Sequence, residues 1–218
     1  MQLQVDAIGK SYGTTAVLKG VSFSLSDGEQ ALLLGPSGSG KSTLLNIICG
    51  LQRPDQGSVA IDNQVIASPD STAKSDEVRR TSLGIVFQTL RLVSALSLRA
   101  NLELAQKLQT GRVDSGLIDE SLDRLDISHR AGARPFQLSQ GEAQRAAIAR
   151  AVVVSPKLLI ADEPTSALDR ENTRRVAELL IEMAKTVGAG LLIATHDDRL
   201  GDFFPQNYAL DQGELKSC

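Results

Sequence analysis

"QALLLGPSGSGKSTLLNIICGL", residues 30–51, holds three signals in an order that decides the fold. Residues 30–35 form a continuous apolar run ending in glycine, the pattern of a strand buried on both faces. Residues 41–51 read as a helix that stops near Gly50 and Pro54. Between them "GPSGSGKST" matches G-x-x-x-x-G-K-[ST] in the strand-then-helix setting that this motif requires. Its glycines allow the backbone to wrap a phosphate with the amides pointing inward. Gly35, Pro36, Ser37, Gly38, Ser39, Gly40 and Thr43 are therefore candidate cradle residues. Lys41 adds a point charge for the β- and γ-phosphates, and Ser42 offers a hydroxyl to Mg²⁺. A flexible Gly/Ser turn would not bring strand, lysine and helix together.

Outward from this loop the chain alternates strands and helices. Residues 3–8 and 17–26 alternate roughly and predict antiparallel strands, and 57–66 returns to strand alternation. The polar stretch 68–77 is expected to be loop or a helix cap. "LGIVFQ" (83–88), "KLLIADEP" (157–164) and "GLLIATHDD" (190–198) read as further strands, 170–187 as a helix and 208–216 as a closing hairpin. From Ser97 to about Val154 the pattern is helical, with expected breaks at Gly111, Gly116 and Pro135. The fold class predicted is α/β: a P-loop NTPase core with a parallel-rich sheet, an N-terminal antiparallel β subdomain, and a helical subdomain inserted at about 89–155 in one domain spanning 1–218.

The composition narrows the function. The chain has 218 residues and a net charge of −3, and it lacks Trp, so neither a nucleic-acid surface nor a base-stacking platform is indicated. The Arg79-Arg80 and Arg174-Arg175 pairs read as solvated helix faces. Two cysteines make no disulfide framework: Cys49 reads as a small core residue and Cys218 as a mobile terminus. The sequence shows no signal pattern and no run reaching the roughly 18 apolar residues of a membrane span. A reduced, cytosolic protein is expected, and membrane work would need another chain.

Further candidates lie at strand ends, where an open α/β sheet binds its ligands. Asp162 and Glu163 close the run "LLIADE": the first is placed to hold Mg²⁺, the second to position or deprotonate a water. His196 follows "LLIAT" and could reach a γ-phosphate, though alone such a histidine is more often structural. Gln88, just past a strand end, reads equally as a metal ligand and as a surface residue. Tyr12 in "KSYGTT" could stack on adenine or pack on the core. "FQLSQGEAQRAAIAR", 136–150, begins a helix with Ser139 as N-cap and Glu142 completing a capping box. A helix start is an anion site, and here it lies about a hundred residues from the phosphate loop.

"GPSGSGKST", Gln88, "LSQGE", "LLIADE", "SALD" and His196 occur in the order found in ATP-binding cassette (ABC) ATPases, and the resemblance covers essentially the whole chain. It implies ATP and Mg²⁺ as ligands, with Ser42, Gln88 and Asp162 on the metal. It assigns Tyr12 to adenine, Lys41 and His196 to the γ-phosphate, and Glu163 to the base. "LSQGE" resembles the family signature, so Ser139 and Gly141 are expected to hold ATP bound by a second copy paired head to tail. Ser166 and Asp169 resemble the loop crossing that interface. Gln140 replaces the usual first glycine of the signature, and Glu142 stands where Gln is commonest. An acid there repels phosphate unless tied back in the capping box. The chain looks most like cassettes of lipoprotein-release, macrolide-efflux and cell-division systems, and the regulatory domain of several importers is not expected. These similarities imply a transmembrane permease partner, a homodimer of cassettes, and residence on the cytoplasmic face of the inner membrane. The runner-up is a soluble ABC ATPase acting on nucleic acid or ribosomes. A P-loop kinase would not explain "LSQGE", and a switch without turnover is opposed by Lys41, Asp162 and Glu163.

Overall fold

The computed structural model describes residues 2–70, 74–166 and 168–217. The expectations for 71–73, for Ala167 within "SALD" and for Cys218 lie outside them. Strands β1 (Leu3–Tyr12) and β2 (Thr15–Leu25) lead to β3 (Gln30–Leu34), the phosphate loop and α1 (Lys41–Ile48). Then come β4 (Gln56–Ile61), β5 (Gln64–Ala67), α2 (Lys74–Ser82) and β6 (Leu83–Val86). Helices α3 (Leu98–Thr110), α4 (Ser115–Arg124) and α5 (Gln140–Val152) follow, and β7 (Leu158–Asp162), α6 (Arg170–Val187), β8 (Gly190–Thr195), β9 (Gln206–Asp211) and β10 (Glu214–Ser217) complete the order.

The strands form a four-stranded antiparallel sheet, β2-β1-β4-β5, and a six-stranded sheet, β10-β9-β3-β8-β7-β6. In the second sheet all pairings are parallel except that of β9 with β10. The expected α/β fold is present. Its central strands explain why their sequences are continuously apolar. Leu32, Leu159, Ala161, Leu191 and Ile193 point into one core with α3, α4, α5 and α6. Their neighbours Ala31, Leu33, Leu158, Ile160, Leu192 and Ala194 point into the other, with α1 and the antiparallel sheet. Period-two alternation therefore puts an apolar residue on each face in turn. Cys49 belongs to the second core, and burial pushes its thiol up to about 12.

Three local readings change. Residues 57–66 are a hairpin, with Asp62 and Asn63 both at positive φ (49° and 62°) as a type I′ turn requires. Part of the polar stretch 68–77 is helical, since α2 starts at Lys74. It has Asp76 and Glu77 in the first turn and Arg79 and Arg80 in the last, which suit the helix dipole. Gly116 does not break the helical run: it is the second residue of α4, behind the N-cap Asp114, whose carboxylate accepts from the amide of Leu117 at 3.1 Å. Gly111 and Pro135 do mark ends, one closing α3 and the other opening a short 3₁₀ turn. The arginine pairs sit on helix surfaces, Arg174 with Glu178 and Arg175 with Glu171.

Where β6 passes under the end of α5, Gly84 leaves no room for a side chain. A Cβ there would lie 2.3 Å from the carbonyl oxygen of Ala151 and 2.8 Å from Pro156. Gly84→Ala should lower stability by about 1–3 kcal/mol. Gly132→Ala, which meets nothing within 4 Å, should stay within about 0.5 kcal/mol of the parent. Urea unfolding of the two variants checks this, and equal midpoints would show that β6 is not pressed against α5.

Candidate functional site

The parallel strands β3, β7 and β8 all end at one edge of the sheet, and their C-terminal residues meet there. Gly35 follows β3 directly and donates its amide to the carbonyl of Thr195 at the end of β8, at 3.2 Å. A Cβ at Gly35 would fall 2.3 Å from the carbonyl oxygen of Leu210 and 2.6 Å from Ser39 Oγ, so only glycine seats the loop against β9. Gly40, at φ 105°, turns the chain into α1 without a side-chain cap. The first-turn amides of α1 thus have no capping side chain and remain available to an anion. Ser39 Oγ is buried without a partner.

A cleft of about 250 Å³ opens over this loop. It is lined by Ser37, Gly38, Gly40, Lys41, Ser42 and Thr43 of the loop and helix start, and by Val17, Gln88, Glu163 and His196. Lys41, only 5% exposed, donates its ammonium to the carbonyls of Gly35 (2.7 Å) and Pro36 (3.1 Å) and lies 3.3 Å from Glu163 Oε1. Ser42 Oγ donates to Asp162 Oδ1 at 3.4 Å. Burial raises the Asp162 carboxyl above its ordinary value, opposed by the Ser42 hydrogen bond and reinforced by the Glu163 charge. The Ser42 hydroxyl and the Gln88 amide line the cleft, and the half-buried Asp162 carboxylate accepts from that hydroxyl; together they form an oxygen donor set that fits Mg²⁺, which needs one or two carboxylates besides phosphate and water.

Glu163 joins the parts. Its φ is 48°, a left-handed backbone that costs a non-glycine residue about 1–3 kcal/mol. Its amide donates to Ala194 of β8 at 2.8 Å. Oε2 accepts from Thr195 Oγ1 (3.2 Å) and the His196 amide (3.4 Å) and lies 2.8 Å from His196 Nδ1, while Oε1 faces Lys41. One carboxylate therefore ties β7, β8 and the phosphate loop together. Thr195 and Val17 were not singled out from sequence. Nothing marks a buried threonine before a histidine, or one valine in an alternating strand, until the fold brings them here.

Tyr12 stands outside the cleft-lining set. It ends β1, is 52% exposed, accepts a hydrogen bond from Gln52 Nε2 and lies 5.9 Å (ring centroid) from the Lys10 ammonium.

The signature helix is a separate construction. Ser139 caps α5: its hydroxyl accepts from the Glu142 amide (3.3 Å), and Glu142 Oε2 accepts from the Ser139 amide (2.7 Å). Arg130, at the end of an earlier 3₁₀ turn (Ser128–Arg130), donates to Glu142 Oε1 at 2.6 Å. That pairing, with the Ser139 bonds, holds the Glu142 carboxyl down at about 2. The interaction favours the folded chain above pH 4.5 and is lost as pH falls toward about 2. Sequence spacing showed the capping box but not Arg130, twelve residues away. Gln140, Gly141, Gln144 and Arg145 line a groove of about 450 Å³ against Asn172 and Arg175 of α6. This groove shares no residue with the phosphate-loop cleft. Ser166 is exposed with its amide donating to the Glu163 carbonyl (3.3 Å), and Asp169 caps α6 through the Asn172 amide (2.8 Å).

Known proteins resemble this chain in sequence and fold. Residues 18–166 match the ABC transporter family. HrtA of Staphylococcus saprophyticus, a protein named for hemin import and ATP binding, is 37% identical over 224 residues that cover all of both chains. The lipoprotein-releasing system ATP-binding protein LolD 1 of Rhodopirellula baltica is 37% identical over 220 residues, covering 98% of this chain and 95% of that one. The bacterial ABC transporter cassette MJ0796, solved as a dimer, superposes with a TM-score of 0.87 at 33% identity over 98% of this chain and 96% of its own. A dimeric post-hydrolysis structure of MJ0796, bound to ADP and Pi, superposes with the same score. With the family's pattern spanning its phosphate loop, signature and acidic strand end, this chain belongs to the ABC transporter family and is an ATP-hydrolysing cassette.

Proposed function

We propose that two copies of this chain close head to tail around two MgATP, each site combining the phosphate loop of one copy with the Ser139 helix start of the other. The observation that carries this reading is the separation of the two half-sites. The cleft over Lys41 and the groove at Gly141 share no residue, yet each places a helix start and a basic side chain along its lining, α1 with Lys41 in one and α5 with Arg145 in the other. The dimeric MJ0796 structures support it. Residues 1–218 act as one nucleotide-binding domain with a helical subdomain at about 89–155.

The division of labour follows the geometry. The loop amides of Ser37, Gly38 and residues 40–43 and the Lys41 ammonium bind the triphosphate; Lys41 then gives up its contact with Glu163 for the phosphates. Ser42, Asp162 and Gln88 would hold Mg²⁺, which when bound offsets phosphate charge and favours ionised Asp162. Glu163 takes the proton of the attacking water as its oxygen bonds to the γ-phosphorus and the bond to the β-phosphate oxygen breaks, releasing ADP and phosphate. His196 holds Glu163 at 2.8 Å in this structure and contacts the γ-phosphate in the closed site. Tyr12 stacks on adenine, which requires the ring to leave its contact with Gln52 or the base to approach from the β1–β2 tip. Ser166 and Asp169 line the interface between copies.

The cassette drives a separate transmembrane partner from the cytoplasmic face of the inner membrane, in export, lipoprotein release or mechanotransmission. LolD, named for a lipoprotein-releasing system, and HrtA, named for hemin import, support this, and among the described residues no helix is long and apolar enough to cross a membrane. Purification from detergent-solubilised cells should bring down a membrane-spanning protein in stoichiometric amount. Recovery of the cassette alone, from membranes and cytosol alike, would overturn this part.

Glu163→Gln keeps shape and loses the base, so turnover should fall by about 10²–10⁴-fold while MgATP binding persists. Size measurement with MgATP should then show more dimer than the parent. Full activity would move the base elsewhere, His196 first. Ser139→Arg should cut turnover by about 10²-fold, as loss of a preorganised donor does, and leave the ATP affinity of the isolated chain unchanged. Lys41→Ala is the contrast: it should lose affinity and turnover together. If Ser139→Arg abolishes binding as Lys41→Ala does, the signature serves its own chain's nucleotide.

A further inference from the structure

Glu142 puts a full negative charge in the first turn of the helix that is to meet a phosphate. A helix start carries roughly half a positive charge, so an uncompensated carboxylate there makes the local sum negative, about −0.5. Arg130 restores it to about +0.5. Its Nε donates to Glu142 Oε1 at 2.6 Å and its Nη2 to Oε2 at 3.4 Å. The remaining partners of the carboxylate are the Ser139 amide at 2.7 Å and His129 Nε2 at 3.5 Å. The side chain of Glu142 is 10% exposed, and that of Arg130 41%.

Arg130 is itself anchored. The chain just after it bonds to the start of α3, the amides of Arg99 and Leu98 donating to the carbonyls of Ala131 (2.9 Å) and Ala133 (2.8 Å). The guanidinium is thus presented from a fixed segment to a fixed carboxylate. We propose that Arg130 is a positioning residue for the ATPase reaction: it neutralises Glu142 and keeps it folded back on the cap, so that the exposed start of α5 can accept the phosphate carried by a second copy. This rests on the head-to-tail reading above.

A purely structural tie between the 3₁₀ turn and α5 makes a different prediction, which a double-variant cycle separates. Glu142→Gln removes the charge and keeps the capping box, because glutamine serves at that position as well as glutamate. It should leave ATP turnover within about threefold of the parent, since no like charge then faces the phosphate. Arg130→Ala leaves the carboxylate unpaired and should lower kcat/KM for ATP, and MgATP-driven dimerisation, by about tenfold or more while the isolated chain binds ATP as before. Adding Glu142→Gln to Arg130→Ala should recover most of that loss. A structural tie is broken in the double variant too, so there the loss would persist. If Arg130→Ala does not fold, Arg130→Gln keeps a hydrogen bond without the charge and should show the same loss and recovery. Parental activity in the Arg130 variant, or a double variant as slow as it, overturns the proposal. A Ser139→Arg control that still turns over ATP would instead remove the head-to-tail reading.

Discussion

The structure depends on burying β3, β7 and β8 on both faces. A parallel strand in the middle of a sheet has no solvent side, so each residue must find an apolar partner above or below. Ala31 and Leu33 go one way and Leu32 the other, and the same alternation holds in β7 and β8. This constraint calls for helices on one side and α1 with the antiparallel sheet on the other. It also aligns the strands, so that Gly35, Glu163 and His196, each just past the end of its strand, come to a single edge. The site is a consequence of parallel pairing: antiparallel neighbours would send alternate strand ends to opposite edges.

At that edge the electrostatics are crowded. Asp162 and Glu163 are adjacent acids, and burial holds Asp162 above its ordinary value. Lys41 and His196 stand against Glu163 from opposite sides, and Thr195 adds a hydroxyl. The left-handed backbone at Glu163 lets one residue continue pairing to β8 while its side chain turns toward the phosphate loop. The Lys41 ammonium is engaged by two carbonyls and Glu163, so an anion entering this cleft would have to compete with that carboxylate for it.

The start of α5 poses the opposite problem, an acid in the first turn of a helix whose dipole is positive there. The solution is local: the capping box folds Glu142 back, and Arg130 cancels its charge. Gln140, in place of the usual glycine, lines the groove toward α6. Asp169 caps α6 from an exposed position.

Much was legible in the sequence because the signals were local. Helix α6 matches the expected 170–187, and the phosphate loop, the acidic strand end and the Ser139 capping box were each read from residues close along the chain. Where the signal is weak the reading failed. Helix α2 has Val78 as its buried apolar residue, hence no periodicity to detect, and Gly116 is tolerated beside a capped helix start. Only tertiary structure decided which distant groups meet: Val17 and Thr195 at the cleft, Lys41 against Glu163, Arg130 against Glu142, Tyr12 on Gln52. Backbone periodicity and capping act over a few residues, whereas these contacts join segments whose separation in sequence is closed by burial of the sheet.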